Sequence, residues 1–241
     1  MGALLEICVD DLAGVEAAAA GGADRIELCA ALELGGLTPS PALLWHAVGF
    51  GLPIHVMIRP RVGHFQLESR EIALIADDIR LMLDLGAAGV VVGALLADRT
   101  LDRAALAAFR EAADDAVLVL HRAVDLTPDP IAAIGQARDL GFDKVLSSGG
   151  ARTAAEGAIT LACMVATAGN DLAVIAGSGV RPENVAETVA KTGVREVHSS
   201  ASITAASPDP EIERFGFGGE RRITDADIVR RLRTTLGEKG T

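Results

Sequence analysis

The sequence contains no tyrosine, one tryptophan and six phenylalanines, so aromatic residues make up only 3% of its 241 residues. Basic residues are also scarce, because 22 lysines and arginines stand against 33 aspartates and glutamates, for a net charge of −11. A nucleic-acid-binding protein needs a basic surface to neutralise phosphates, and an anionic membrane repels a chain of this charge. We therefore expect neither a nucleic-acid partner nor a membrane partner.

Cysteines and long apolar runs are scarce as well. Cys8, Cys29 and Cys163 are odd in number and widely spaced, which excludes a disulfide framework and favours a reducing compartment. The longest uncharged apolar run, residues 87–97, is about half of the roughly 20 residues that a membrane-spanning helix needs. With no basic segment before an apolar stretch near Met1, we predict a cytoplasmic protein.

Small and branched apolar residues are abundant, and they occur in eight strand-like runs separated by segments long enough for helices. The runs are Leu4–Val9, Arg25–Cys29, Ile54–Ile58, Gly89–Leu95, Val117–His121, Lys144–Ser148, Leu172–Ala176 and Glu196–Ser199. Alternating strands and helices predict a parallel sheet covered on both sides. Eight such units in a chain of this length predict an α/β fold, a single (β/α)8 TIM barrel that occupies residues 1–241 as one domain.

A short glycine-containing segment precedes every second strand. Gly22, Gly86, Gly141 and Gly193 are each followed by a small or apolar residue, two further residues and an even-numbered strand. Helix starts are marked in two ways. Prolines occur at first helical positions, with one helix expected to start at Arg181-Pro182, and N-caps are predicted at Ser69, Asp102 and Asp225. The proline- and glycine-rich segment 206–222 interrupts this pattern, so we predict a long loop on the functional face and then a final helix.

The first two strands end in the same way, in Glu6-Ile7-Cys8 and Glu27-Leu28-Cys29. Side chains alternate between the two faces of a strand, so the glutamate and cysteine of each motif share one face. We expect the four side chains to cluster near the barrel mouth, with Arg59 and Arg61 of the third strand as partners of the carboxylates. Glu6 is equally consistent with a structural ion pair, whereas Glu27 is interpreted as catalytic.

Two histidines end strands on the same face of the predicted barrel. His121 begins the segment His121-Arg122-Ala123-Val124-Asp125 after strand five, and His198 lies in strand eight. Barrels of this type place their functional sites at the carboxyl ends of the strands. We predict catalytic roles for both histidines and for Asp125. Hydroxyls and glycines after strands six to eight predict an anion or phosphate site, made of Ser148, Gly149, Gly177, Gly179, Ser199 and Ser200.

Several motifs resemble the CutC family, which is named for copper homeostasis. They are Leu5-Glu6-Ile7-Cys8, Gly22 to Cys29, Gly35-Gly36-Leu37-Thr38-Pro39-Ser40, Met57-Ile58-Arg59-Pro60-Arg61, His121-Arg122-Ala123, Ser148-Gly149 and Glu196 to Ala201. The resemblance extends from Leu4 to about Ala201. It implies a barrel, a cytoplasmic location, dimers or tetramers and a role in binding copper. Where the family has an aspartate, this chain has His64.

Two functions compete on this sequence. The family resemblance implies a copper-binding protein, and Cu(I) prefers thiolates, so Cys8 and Cys29 are the predicted metal ligands. The alternative is an enzyme that performs acid–base chemistry on a small anionic or phosphorylated metabolite, for example a sugar derivative. In that case Glu27 and His121 would transfer protons while Arg59 and Arg61 held the anion. We also expect self-association, because half of the residues are apolar and the mean hydropathy is positive.

Overall fold

The computed structural model describes residues 2–206, 209–216 and 220–237. Eight parallel strands pair in sequence order and close into a barrel, as predicted. The barrel strands are β1 (Leu4–Val9), β2 (Arg25–Leu28), β3 (Ile54–Met57), β4 (Gly89–Val92), β5 (Val117–Leu120), β6 (Lys144–Ser147), β7 (Ala173–Ala176) and β8 (Glu196–Ser199). The strands β2, β3, β5 and β6 end one residue earlier than the apolar runs and β4 ends three residues earlier, because the last residues of these runs turn into the loops that form the mouth.

Helices connect the strands on the outside of the barrel. They are α1 (Leu12–Gly21), α2 (Pro41–Val48), α3 (Ser69–Asp84), α4 (Arg103–Ala113), α5 (Pro130–Asp139), α6 (Ala158–Ala168) and α7 (Val185–Thr192). Asp102 and Asp225 cap helices as predicted, whereas Glu68 rather than Ser69 caps α3 through a reciprocal bond with Glu71. The helix expected from Arg181-Pro182 begins three residues later, at Val185, after a turn.

The repeated glycines end the connections that precede the even strands. Gly22, Gly86, Gly141 and Gly193 all have positive φ angles, between 72° and 100°. Only glycine adopts this conformation without steric cost, so it lets the chain reverse from a helix into the next strand. The repeat therefore marks a backbone requirement at the amino-terminal end of the barrel, away from the mouth.

Alternation along each strand separates two cores. The larger core lies between the barrel and the helices, and contains residues such as Leu5, Ile26 and Val56. A smaller cluster fills the inside of the barrel with Cys29, Met57, Val91, Val119, Leu146 and Ile175. Inward positions of β1, β2 and β8 carry charged and polar residues instead, so one side of the barrel interior is polar.

The segment 206–222 is not the long loop that its composition predicts. A strand β9 (Ser202–Ala206) pairs antiparallel with β10 (Glu220–Thr224), and a short helix α8 (Pro210–Arg214) lies between them. Residues 207–208 and 217–219 of this prediction lie outside the described part of the chain. Arg221 forms an ion pair with Asp11, which ties β10 to the loop after β1. The predicted final helix is α9 (Ala226–Leu236).

Candidate functional site

A cavity of about 810 Å³ opens at the carboxyl ends of the strands. Its lining comes from residues at the ends of β1, β2, β3, β6 and β8, from the loops after the strands, including the loop after β7, and from β10. Of the predicted catalytic residues, Glu27, Arg59, His121, Asp125 and His198 line this cavity. A cavity of this size accommodates a small organic molecule, which is far larger than a single metal ion.

Glu6 lies one layer below the cavity, within a network of buried charges. Its carboxylate accepts a bond from Arg25 at 2.5 Å, and Arg25 also contacts Glu196 at 2.6 Å. Lys144 contacts the other oxygen of Glu196 at 2.5 Å. Two carboxylates are thus matched by two cations inside the barrel. The prediction that Arg59 and Arg61 would neutralise Glu6 is wrong, because the strand register places Arg25 directly opposite Glu6.

His198 connects this lower network to the cavity. Its Nδ1 lies 2.7 Å from Glu6 Oε1, and its Nε2 lies 3.8 Å from Glu27 Oε2. The ionised Glu6 is an acceptor only, so Nδ1 of His198 carries a proton. Nε2 is therefore the nitrogen that can gain or lose a proton at the cavity floor.

Glu27 is buried on the cavity floor between two cysteines. It lies opposite Cys8 in the β1–β2 register, and the Cys29 thiol donates to its Oε2 at 3.5 Å. Its other oxygen, Oε1, is buried with no hydrogen-bond partner among the described residues. A buried carboxylate oxygen without a partner is costly, which marks Glu27 as a group whose missing partner is a ligand or a proton.

The two glutamates have opposite proton affinities. Burial opposes ionisation of Glu6, but the hydrogen bond from His198 and the charge of Arg25 lower the pKa of Glu6 far below its ordinary value. Burial raises the pKa of Glu27, and the charge of His198 offsets this effect of burial only in part. For His198, burial works against the charged form, but Cys8, Glu27 and Glu6 together raise its pKa well above 6.5. Glu6 is thus held as an anion, whereas the raised pKa values of Glu27 and His198 give these two groups the chemistry of a proton acceptor and a proton donor.

His121 is a neutral side chain packed against the backbone of Gly93. A Cβ atom at Gly93 would lie 2.2 Å from the His121 ring, so only glycine leaves room for it. Nδ1 accepts from the Ala123 N–H at 3.1 Å, so the single proton lies on Nε2. Burial and the charge of Arg59 lower the pKa of His121 to about 4. The ring also contacts Phe65, with centroids 4.9 Å apart.

Arg59 and Arg61 point in different directions. Arg59 lines the cavity, where it donates to the carbonyls of Leu34, Gly36 and Gly63 and lies over the ring of Phe65. Arg61 lies outside the cavity and binds Glu71 at 2.5 Å. The expectation that Arg61 lines the site is wrong, because Arg61, in the loop after β3, turns towards α3 and pairs with Glu71. His64 is also outside the cavity, and its carbonyl accepts from Arg61 at 3.0 Å.

Asp125 is held by a dense set of hydrogen bonds at one edge of the cavity. It accepts from the hydroxyls of Ser147 at 2.6 Å and Ser148 at 2.8 Å, and from Arg122 at 2.9 Å. The Gly150 N–H also donates to it at 3.1 Å. With its oxygens occupied in this way, Asp125 positions the loop after β6, and the geometry favours this structural role over the predicted catalytic one.

The predicted anion-binding residues separate into two groups. Gly179, Ser199 and Ser200 line the cavity. Ser148, Gly149 and Gly177 are absent from its lining and have structural partners instead. A Cβ at Gly149 would lie 2.3 Å from the carbonyl oxygen of Gly157, and one at Gly177 would lie 2.6 Å from Leu146 Cδ1. These two glycines allow close packing rather than ligand contact.

Several residues of the barrel interior and of the cavity were not predicted from the sequence. Arg25, Lys144 and Glu196 face the barrel interior, and the period-two alternation from Glu27 back to Arg25 could have revealed the first of them. Arg181 and Arg222 line the cavity from the loop after β7 and from β10. No local pattern distinguishes these two arginines from surface residues, because β10 reaches the mouth only through tertiary structure.

The sequence profile of the CutC family matches residues 3–203. The chain belongs to the CutC family. A CutC family protein of Agrobacterium fabrum is 45% identical over 235 residues, which cover 97% of this chain and 94% of the relative. The CutC family protein of Rhizobium meliloti is 44% identical over 233 residues, or 96% of this chain and 95% of the relative.

Solved structures agree with this assignment. The crystal structure of a Streptococcus agalactiae CutC, named for copper homeostasis, superposes with a TM-score of 0.78 at 30% identity. The match covers 82% of this chain and 98% of that one. Thiamine phosphate pyrophosphorylase from Pyrococcus furiosus superposes with a TM-score of 0.60 at 15% identity over 97% of this chain and 95% of that one, which shows a shared barrel fold and no more. Within its described residues, this CutC family member has no helix long and apolar enough to cross a membrane.

Proposed function

We propose that this protein is an enzyme that transfers protons to and from a small anionic metabolite bound in the barrel mouth. The observation that carries the proposal is Glu27. Its Oε1 is buried without a described partner, its pKa is raised, and His198 lies 3.8 Å from its other oxygen. A base whose pKa rises towards the working pH is the type that general base catalysis requires.

The charges below the cavity explain why Glu27 and His198 are free to exchange protons. Glu6 and Glu196 are balanced by Arg25 and Lys144, so these four groups need no further counter-charge. Glu6 also orients His198 through Nδ1. A histidine oriented by one carboxylate, with its second nitrogen beside the reacting group, has the geometry of an acid–base catalyst.

Each side chain then has a distinct role. Glu27 removes a proton from the substrate, and the His198 imidazolium returns one or stabilises negative charge as it develops. His121 presents a neutral Nε2–H to the cavity and donates a hydrogen bond to a substrate oxygen. With its pKa of about 4, it is too weak a base for the proton transfer that the sequence analysis assigned to it.

A proton-transfer assay on candidate substrates tests the proposal. The purified protein is incubated in D₂O with a panel of phosphorylated and carboxylated aldehydes and ketones, and deuterium incorporation beside the carbonyl is followed by proton NMR. General base catalysis supplies about 10²- to 10⁴-fold, so Glu27→Gln should lower the rate at least about 100-fold. Glu33→Gln is the matched control, because Glu33 also lines the cavity but is exposed at its rim.

A second measurement does not depend on finding a substrate. Carbon NMR of the labelled glutamate carboxyls gives the pKa of Glu27 directly, with Glu27→Gln assigning the signal. A pKa above the ordinary value supports the role of Glu27 as a base. A pKa at or below that value would refute it, since the carboxylate would then be a weak base at neutral pH.

Copper binding is a second candidate, and one observation favours it. Ligand atoms of Cys8, Glu27 and His198 lie within 4.8 Å of one another, which is close enough to share one ion. Cys29 is not part of this group, and burial raises the pKa of its thiol well above 9.0. One thiol, one carboxylate and one imidazole are a mixed set, whereas Cu(I) prefers several soft sulfur ligands. We therefore expect weak Cu(I) binding.

Titration of the reduced protein with Cu(I) against a competing chelator tests this second candidate. If the three-residue group is the site, Cys8→Ser should weaken binding at least about tenfold, or 1.4 kcal/mol. Cys29→Ser should change it much less. Tight one-to-one binding that requires both cysteines would support the two-thiol site predicted from the sequence and would contradict the assignment made from the geometry.

A further inference from the structure

Two guanidinium groups at the rim of the cavity are held side by side without a carboxylate. Arg181 donates to the main-chain carbonyl of Ser202 at 2.9 Å. Arg222 donates to the hydroxyl of the same serine through Nε at 3.0 Å and Nη2 at 2.9 Å. Among the side chains that the structure describes, no carboxylate oxygen lies within 4.0 Å of either guanidinium.

Acidic residues outnumber basic ones in this chain, 33 to 22, yet these two neighbouring guanidiniums both bind a serine rather than a carboxylate. Several other arginines have carboxylate partners, as Arg25 has in Glu6 and Arg233 has in Asp24. Like charges placed on one serine repel each other, so a bound anion between them would relieve the repulsion. The pair is therefore better explained by a ligand than by stability.

The neighbouring backbone supplies a second, independent feature. Main-chain N–H groups of three consecutive residues, Ser178, Gly179 and Val180, donate to no acceptor among the described residues. Ser178 and Gly179 have positive φ angles of 77° and 70°, and Val180 is buried. Consecutive N–H groups in such a turn form a concave site for an anion. A buried N–H without an acceptor also needs a partner that the protein itself does not provide.

Both features lie beside the acid–base pair. Gly177, at the start of the turn, has its ideal Cβ position 3.4 Å from Cβ of His198. Ser200 follows His198 by two residues, and its hydroxyl lies 2.9 Å from that of Ser202. Gly179, Arg181, Ser200 and Arg222 all line the same cavity as Glu27. An anionic group bound here would place the rest of a small molecule over the cavity floor.

We propose that Arg181, Arg222, Ser200 and the turn 178–180 form a subsite for a phosphate dianion, so that the substrate is a small phosphate monoester. This inference deepens the proposed function and rests on it for the word substrate, but anion binding can be measured without any reaction. Two guanidiniums and several N–H donors match the charge and the multiple acceptors of a dianion. The anion is thus assigned to Arg181 and Arg222, and not to Arg59 and Arg61 as predicted from the sequence.

Calorimetric titration of the 241-residue protein with inorganic phosphate at low ionic strength tests the subsite. We expect one saturable site, and both Arg181→Gln and Arg222→Gln should weaken it at least tenfold. Arg195→Gln is the matched control, because it removes the same charge from an exposed position before β8, at the opposite end of the barrel. Equal weakening by all three variants, or no saturable binding, would overturn the proposal.

Two additional arms make the outcome specific. Methyl phosphate should bind with an affinity similar to that of phosphate, whereas dimethyl phosphate, a singly charged diester like those of nucleic acids and lipids, should bind at least tenfold more weakly. Equal binding of the diester would contradict the monoester assignment. If an arginine variant fails to fold, Arg222→Lys keeps the charge but loses the two-nitrogen contact, and it should still weaken binding severalfold.

The acid–base centre can fail separately from the subsite. Glu27→Gln should bind phosphate as the unmodified protein does. If this variant still binds phosphate, the subsite is supported. If the pKa of Glu27 in the unmodified protein is also at its ordinary value, the proposed reaction is refuted while the subsite remains. Loss of phosphate binding in Glu27→Gln would instead contradict the assignment of the anion to the rim.

Discussion

Replacing His121 by asparagine should remove one defined contribution to the pH dependence of stability. The pKa of His121 is about 4 in the folded protein, because the ring is buried and faces Arg59. In the unfolded chain a histidine has a pKa of about 6.5. Since the folded pKa is the lower one, the contribution of His121 is fully present above pH 6.5 and is lost as the pH falls towards 4.

Proton linkage gives the size of this effect. At pH 4.5 the unfolded histidine is nearly fully protonated, while the folded one is mostly neutral. The difference corresponds to about 2.5 kcal/mol of unfolding free energy between pH 7.5 and pH 4.5. Asparagine is the chosen replacement because its side-chain oxygen can accept the Ala123 N–H, as Nδ1 of His121 does.

Urea denaturation at the two pH values measures the effect. The unfolding free energy of the unmodified protein should fall by about 2.5 kcal/mol more than that of His121→Asn. Gly135→Ala is the control, because it adds a methyl group in open space on α5 and introduces no titratable group. It should shift stability equally at both pH values. Equal losses for the unmodified protein and His121→Asn would show that His121 is not held neutral by the fold.

Three further results are expected. Gly93→Ala should displace the His121 ring and lower the unfolding free energy by about 1–3 kcal/mol, whereas Gly135→Ala, within a helix, should raise it by up to about 1 kcal/mol. Equal effects of the two variants in denaturation curves would argue against the packing of His121 on Gly93. Glu6→Gln breaks a buried ion pair and should lower the unfolding free energy by about 3–5 kcal/mol, whereas Glu187→Gln, which breaks an exposed pair, should leave it nearly unchanged. A small effect of Glu6→Gln in denaturation curves would contradict the role of Glu6 in the buried network. The protein should sediment as a dimer or tetramer at micromolar concentration, because the large apolar side chains of Trp45 and Ile159 are 66% and 85% exposed. Trp45→Ser or Ile159→Asp should shift the protein towards monomer, and sedimentation of the unmodified protein as monomer only would refute self-association.

The barrel follows from local patterns that a sequence displays directly. Eight apolar runs separated by helix-length segments predict parallel strands, and the four glycines before the even strands occupy backbone positions with positive φ. The ends of β2 and β8 are also visible locally, so Glu27 and His198 could be assigned to the mouth. These features depend on the periodicity and conformational limits of short segments.

The partners of these residues were decided by the closed barrel. Its strand stagger places Glu6 opposite Arg25 and His198, and Cys8 opposite Glu27 rather than Cys29. Stagger is a property of the whole closed sheet, so no single strand reveals it. The same holds for Arg61, which turns to Glu71, and for Arg222, which reaches the cavity only because β10 pairs with β9. Residue types and faces are encoded locally, whereas the juxtapositions that create proton transfer and anion binding arise from contacts between distant segments.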